Sequence, residues 1–149
     1  STGFGAYLAL WGIGALAGSQ LPRRLQPSRM PTSLAAGNGL SGVGILGIGV
    51  APSLALALVA STVGGIGNGM ANVSQNSLVA ARVAAPERGR AYASVGAFIQ
   101  AGCGVGTVAA APIVAAIGAG HAMTTAGALA AVVSAVTIAW TLTRRPREQ

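Results

Sequence analysis

The sequence predicts an all-α membrane protein, a bundle of five transmembrane helices, and three observations lead there. Only 7% of the 149 residues are charged, against about 25% in an ordinary soluble domain. The mean hydropathy is +0.65, and the apolar character comes from small side chains, with 23 Gly and only 4% aromatics. A water-soluble core of Ala and Gly would bury too little apolar area to offset chain entropy. In lipid the same residues let helix backbones approach closely. The third observation is the placement of charge. All nine basic residues are arginines, and they fall in three clusters: Arg23, Arg24 and Arg29; Arg82, Arg88 and Arg90; Arg144, Arg145 and Arg147.

The clusters count the crossings. Before the first lie 22 uncharged residues, enough to span a hydrocarbon core roughly 30 Å thick. Residues 30–81 and 91–143 are uncharged over 52 and 53 residues respectively, each about 80 Å of helix and so two crossings with a turn between them. Ala51-Pro52-Ser53 divides the first long stretch, because Pro suits a helix start and disfavours its interior. Gly118-Ala119-Gly120-His121 divides the second, glycines being helix stops. The expected helices are 3–21, 32–50, 54–81, 92–117 and 122–143, forming a single partial transmembrane domain over 1–149. Helical backbone is required because lipid offers no partner to a free N–H or C=O.

This arrangement gathers every arginine on one side of the membrane. Short Arg-rich loops stay cytoplasmic, so the piece is expected in a cell (plasma or inner) membrane with its N-terminus outside and C-terminus cytoplasmic. The apolar opening at Ser1, with no basic run and no Met before it, is expected to follow an upstream chain. The net charge of +7 does not indicate nucleic acid, since the arginines are not interleaved with stacking aromatics. The single Cys103 makes no intramolecular disulfide and reads as a small packing residue. No nucleophile–base pair, metal cluster or phosphate loop is present. Neither an enzyme nor a cofactor is expected, and His121 reads as an interfacial residue.

The third helix is the most polar. Asn68, Asn72 and Asn76 recur every four residues with Gln75 beside them, forming one stripe. Amides in lipid either line a water-filled cavity or bond between helices; both readings stand for this stripe, which makes these four residues substrate-cavity candidates. Gln100 shares a stripe with Gly96, Cys103 and Thr107 on the fourth helix and is a further candidate. The pairs Gly14/Gly18, Gly65/Gly69 and Gly102/Gly106 are spaced one turn apart, as helix-packing contacts are. Glycines 37, 39, 42, 44, 47 and 49 crowd the second helix too densely to define a face. The fifth helix, without Asn or Gln, reads as a lipid-facing outer helix.

The ordered segments Gly64-Gly65-Ile66-Gly67-Asn68-Gly69, Ala85-Pro86-Glu87-Arg88-Gly89-Arg90-Ala91 and Gly102-Cys103-Gly104-Val105-Gly106 resemble the second half of the major facilitator superfamily, from its tenth helix through an Arg-Gly loop into its eleventh. Gly18-Ser19-Gln20-Leu21-Pro22-Arg23-Arg24 is similar to the family's loop of glycine, acid and arginines, but Pro22 stands where the acid belongs. The resemblance implies a twelve-helix fold of which this chain supplies helices eight to twelve. It makes the third helix cavity-lining and the second and fifth outer, and places Arg23, Arg24, Glu87, Arg88 and Arg90 in cytoplasmic loops as gating candidates. It implies a secondary active transporter working by alternating access, expected to export a small molecule, with lipid, the missing N-terminal half and an unidentified substrate as partners. No acid lies in any crossing, so the carrier of any coupling proton would lie elsewhere. Two rivals remain: a small non-transporting structural or assembly subunit of the membrane, and helices two to six of a transporter's first half, against which the missing loop acid argues.

Orientation is directly testable. Single cysteines replacing Ser53 or Gly120, in a Cys103→Ala background, should react with impermeant thiol reagents added outside, while cysteines at Ser28 and Gln149 stay protected. The reverse labelling would invert the topology.

Overall fold

The computed structural model describes residues 2–143, so the third arginine cluster (Arg144, Arg145, Arg147) lies outside the described residues. The described chain folds into five α-helices: α1 (Thr2–Gly18), α2 (Met30–Val50), α3 (Leu54–Arg82), α4 (Arg88–Ile117) and α5 (Ala119–Thr143). Four of them, with mean hydropathies of 1.4 to 1.8, are long and apolar enough to cross a membrane. The exception is α1. It stops at Gly18 rather than running to residue 21, and at 17 residues it is about 26 Å long, short of a full hydrocarbon core. The chain then turns through two short 3₁₀ segments, Pro22–Arg24 and Pro27–Arg29. Each begins on a proline, whose fixed φ and missing N–H suit a helix start.

The other boundaries follow from local chemistry. Between α2 and α3 the Ser53 hydroxyl caps α3 by accepting the Leu56 N–H at 3.4 Å, as a good N-cap residue does. Between α4 and α5 the break is a single residue. Gly118 adopts φ +81°, a conformation that L side chains rarely enter, and α5 begins at once. Ala119, Gly120 and His121 are therefore the first turn of α5 rather than a loop. On the arginine side, Arg88 and Arg90 belong to the first turn of α4, because the 3₁₀ turn Ala85–Glu87 leads directly into that helix.

Packing is serial: α1 lies on α3, α3 on α2, and α2 on α5. Glycines make each contact possible. Across α1 and α3 the two one-turn pairs interlock, with Gly14 and Gly18 against the backbone of Thr62 and Ile66, and Gly65 and Gly69 against the carbonyls of Trp11 and Ala15. A Cβ on any of these would collide with main chain. On α2 the six crowded glycines resolve into two faces, Gly37, Gly44 and Gly47 towards α3 and Gly39, Gly42 and Gly49 towards α5. Gly37 and Gly44 face α3, where a Cβ at 37 would come within 2.7 Å of the Ala71 nitrogen. Gly42 and Gly49 face α5, where a Cβ at 49 would come within 2.8 Å of the Gly120 carbonyl. α2 thus packs on two sides, against α3 and α5.

Serine hydroxyls tie the same interfaces. Fully buried Ser61 donates to the Tyr7 carbonyl of α1 at 2.9 Å. Ser41 donates to the Gly64 carbonyl at 3.0 Å, and the buried Ser33 and Ser74 hydroxyls meet at 2.8 Å. No described buried side-chain polar atom is left without a partner.

By contrast, α4 has no buried residue. A Cβ added at Gly102 or Gly106 would meet nothing within 4 Å, so this pair, expected to pack helices, makes no helix contact within the described chain. It lies on a helix that the serial packing of the other four leaves outside.

These contrasts predict a stability series in detergent, followed by circular dichroism during denaturation. Gly69→Ala should cost about 1–3 kcal/mol, the range for overpacking. Ser61→Ala should cost about 0.6–1.7 kcal/mol, the range for interhelical hydrogen bonds in membranes. Gly102→Ala should be neutral or stabilise by up to about 1 kcal/mol, the helix propensity gain of Gly to Ala. Equal costs at Gly69 and Gly102 would contradict the packing described.

Candidate functional site

The amides of α3 stand on the face left over once the glycine and serine faces have gone to α1 and α2. Asn72 and Asn76 are exposed, and Asn68 and Gln75 partly so. The Asn72 amide donates to both the Asn68 carbonyl, at 2.9 Å, and the Asn68 Oδ1, at 3.1 Å. The stripe therefore bonds along its own helix. Asn76 contributes its backbone, whose carbonyl accepts from the Tyr92 hydroxyl of α4 at 3.1 Å. The result is a polar strip about 12 Å long on the middle and arginine-side part of an apolar helix. It holds donors and acceptors but no charge.

The second group of amide and hydroxyl candidates sits on α4. Gln100, Cys103 and Thr107 are all exposed, and Thr107 donates to the Cys103 carbonyl at 2.8 Å. These residues are not brought together with the α3 stripe into an enclosed pocket. The free thiol of Cys103 is likewise not a packing residue here, because α4 presents it outward.

The basic turns carry the charge. Pro22 is fully buried, so the position where the resemblance calls for an acid is packed against the bundle. Arg23 is exposed, with Arg24 next to it at the end of the same 3₁₀ turn. In the second turn Arg88 donates through Nε to the Val83 carbonyl at 3.1 Å, satisfying a carbonyl at the end of α3. Glu87 and Arg90 line one cavity of about 320 Å³ with Val83, Ala91 and Ser94. That places the acid and a base around a common space at the α3–α4 turn.

Three further cavities lie between helices. One of about 420 Å³ involves Arg29, Thr32 and Ser33 at the start of α2. One of about 340 Å³ at the other end of α2 and α3 is lined by Val43, Val50, Leu56 and Val63 among other apolar residues. One of about 430 Å³ between α2 and α5 is lined in part by Asn38, Ser41 and Ser134. None of the four cavities is lined by the α3 amides or by Gln100.

Sequence reasoning missed the polar residues of α2 (Thr32, Ser33, Asn38 and Ser41) and the buried Ser61 and Ser74. A serine among glycines gives no periodic signal of its own. The available clue was that Ser41 stands four residues after Gly37 and three before Gly44, on the α3-facing side. Among the described residues no cluster of three or more His, Cys, Asp or Glu could hold a metal ion. The arrangement offers uncharged hydrogen bonding on α3 and α4 and cationic groups at one end of the bundle. The chain matches no family model, no curated protein and no solved structure.

Proposed function

We propose that the chain is the C-terminal portion of a membrane-embedded secondary transporter of the major facilitator type, exporting a small molecule by alternating access. The observation that carries this reading is the exposure of polar side chains on long apolar helices: Asn72 and Asn76 on α3, and Gln100 and Thr107 on α4. An amide facing hydrocarbon is costly, so such groups face water or another part of the protein. The order of glycine-rich and arginine-bearing segments, which resembles the family over most of the chain, adds to it. A helix such as α4, apolar in composition yet without a buried residue, suits a unit that functions against further helices.

On this reading the α3 stripe hydrogen-bonds solute in a shared cavity completed by the opposing half. Glu87 and Arg90 then lie where the halves meet, and any contact they make there shifts the conformational equilibrium only by the difference in its strength between the two states. Since Glu87, the only acid among the described residues, lies in the turn before α4, a coupling proton would be carried by the opposing half.

The test is transport by the full-length polypeptide in everted vesicles. Asn72→Ala combined with Asn76→Ala should lower uptake roughly tenfold or more, as expected for losing two hydrogen bonds of about 1 kcal/mol each, at unchanged expression. Undiminished transport would remove the stripe from the solute path. A full-length product with no further apolar segments would favour the non-transporting membrane subunit instead.

A further inference from the structure

The cavity of about 420 Å³ beside Arg29 differs from the other three in combining a cation and apolar residues with no acid in its lining. Arg29 immediately precedes the apolar helix α2, which puts its guanidinium at the level where a membrane's hydrocarbon gives way to headgroups. Thr32 and Ser33 line the space beside it, and Leu25, Ala36 and Met70 form the rest of its wall. Ser33 is already engaged with Ser74, which fixes that wall to α3. Glu87, the only carboxylate among the described residues, belongs to a separate cavity with Arg90, so the counter-charge for Arg29 must come from outside these residues.

We propose that this cavity is a binding site for one anionic phospholipid, its phosphate on Arg29 and one acyl chain laid over Leu25, Ala36 and Met70. A guanidinium pairs with phosphate through its rigid fork of donors. The lining then decides what else the ligand carries. Inorganic phosphate would leave the Leu25, Ala36 and Met70 surface uncovered. A zwitterionic lipid would bring its ammonium towards the arginine. An anionic lipid satisfies both ends, and the flexible Met70 side chain accommodates an irregular chain. The apolar cavity at the far end of α2 and α3 has no charged residue in its lining and so cannot select a headgroup. The volume lies within the range of small-molecule sites, and basic pockets between membrane helices are known binding places for anionic headgroups.

The site rests on the membrane-embedded part of the functional reading, not on transport. Phase partitioning in detergent is measured first. Native mass spectrometry then counts the lipids retained from mixed micelles of phosphatidylglycerol and phosphatidylcholine. The native chain should keep one phosphatidylglycerol with a preference of roughly fivefold, the equivalent of one arginine near an anionic headgroup. Arg29→Gln should abolish that preference and Arg90→Gln should leave it intact; Ala36→Leu, which narrows the apolar wall, should reduce retention of the lipid. Helical content is checked for each variant. Recovery of the protein in the aqueous phase would overturn the membrane reading and the site together. A detergent-phase protein whose preference survives Arg29→Gln, falls equally with Arg90→Gln, or is displaced by excess inorganic phosphate would overturn the lipid site alone.

Discussion

The close approach of main chain to main chain along α3 is the constraint on which the rest of the bundle depends. This helix meets α1 through Gly64, Gly65 and Gly69 and α2 through Gly67. Neither neighbour could sit where it does if α3 carried a Cβ at those positions. Hydrocarbon gives little reward for bringing apolar helices together, so dispersion across closely fitted surfaces and hydrogen bonds must hold them. Glycine permits the fit, and at this range backbone carbonyls come within reach of side chains from the next helix. Ser61 and Ser41 use that proximity, donating to the Tyr7 and Gly64 carbonyls.

Committing two faces of α3 to its neighbours determines where its polar residues go. The glycines and serines occupy the buried sides, so the asparagines are displaced to the remaining one. Asn72 then finds its partners one turn earlier on its own helix, at Asn68. The stripe holds no neighbouring helix through its side chains and presents their remaining hydrogen-bonding capacity outward. The same economy explains α2, whose two glycine rows join α3 and α5 without large side chains on either side. Its few polar residues, Thr32, Ser33, Asn38 and Ser41, line cavities or bridge interfaces.

Charge is segregated from all of this. The described arginines sit in the turns and terminal helical residues at one end, where Arg88 meets a backbone carbonyl and Arg29 and Arg90 border separate cavities. The opposite turns, Ala51–Ser53 and Gly118, carry none. The helical interfaces therefore need no ion pairs, whose desolvation cost in hydrocarbon would be high. The two ends of the bundle consequently present different chemistry to whatever lies beyond them.

Helix number, approximate helix bounds and the all-helical class were legible in the sequence, because uncharged length and clustered arginine are properties of the chain itself. The one-turn pairs Gly14/Gly18 and Gly65/Gly69 make the close crossing that their spacing permits. Four things were decided only by tertiary structure. The α2 glycines could not be assigned to faces until α3 and α5 were both in place, as a helix packed on two sides has no single periodic stripe. Gly102 and Gly106 share the spacing of the packing pairs yet meet no described helix, because spacing permits a close contact but another helix must be there to make it. The role of each serine depends on which carbonyl lies opposite, and no sequence periodicity encodes that. The cavity beside Arg29 draws residues from the α1–α2 connection, α2 and α3, which are far apart in the chain and adjoin only after the glycine crossings bring the helices together.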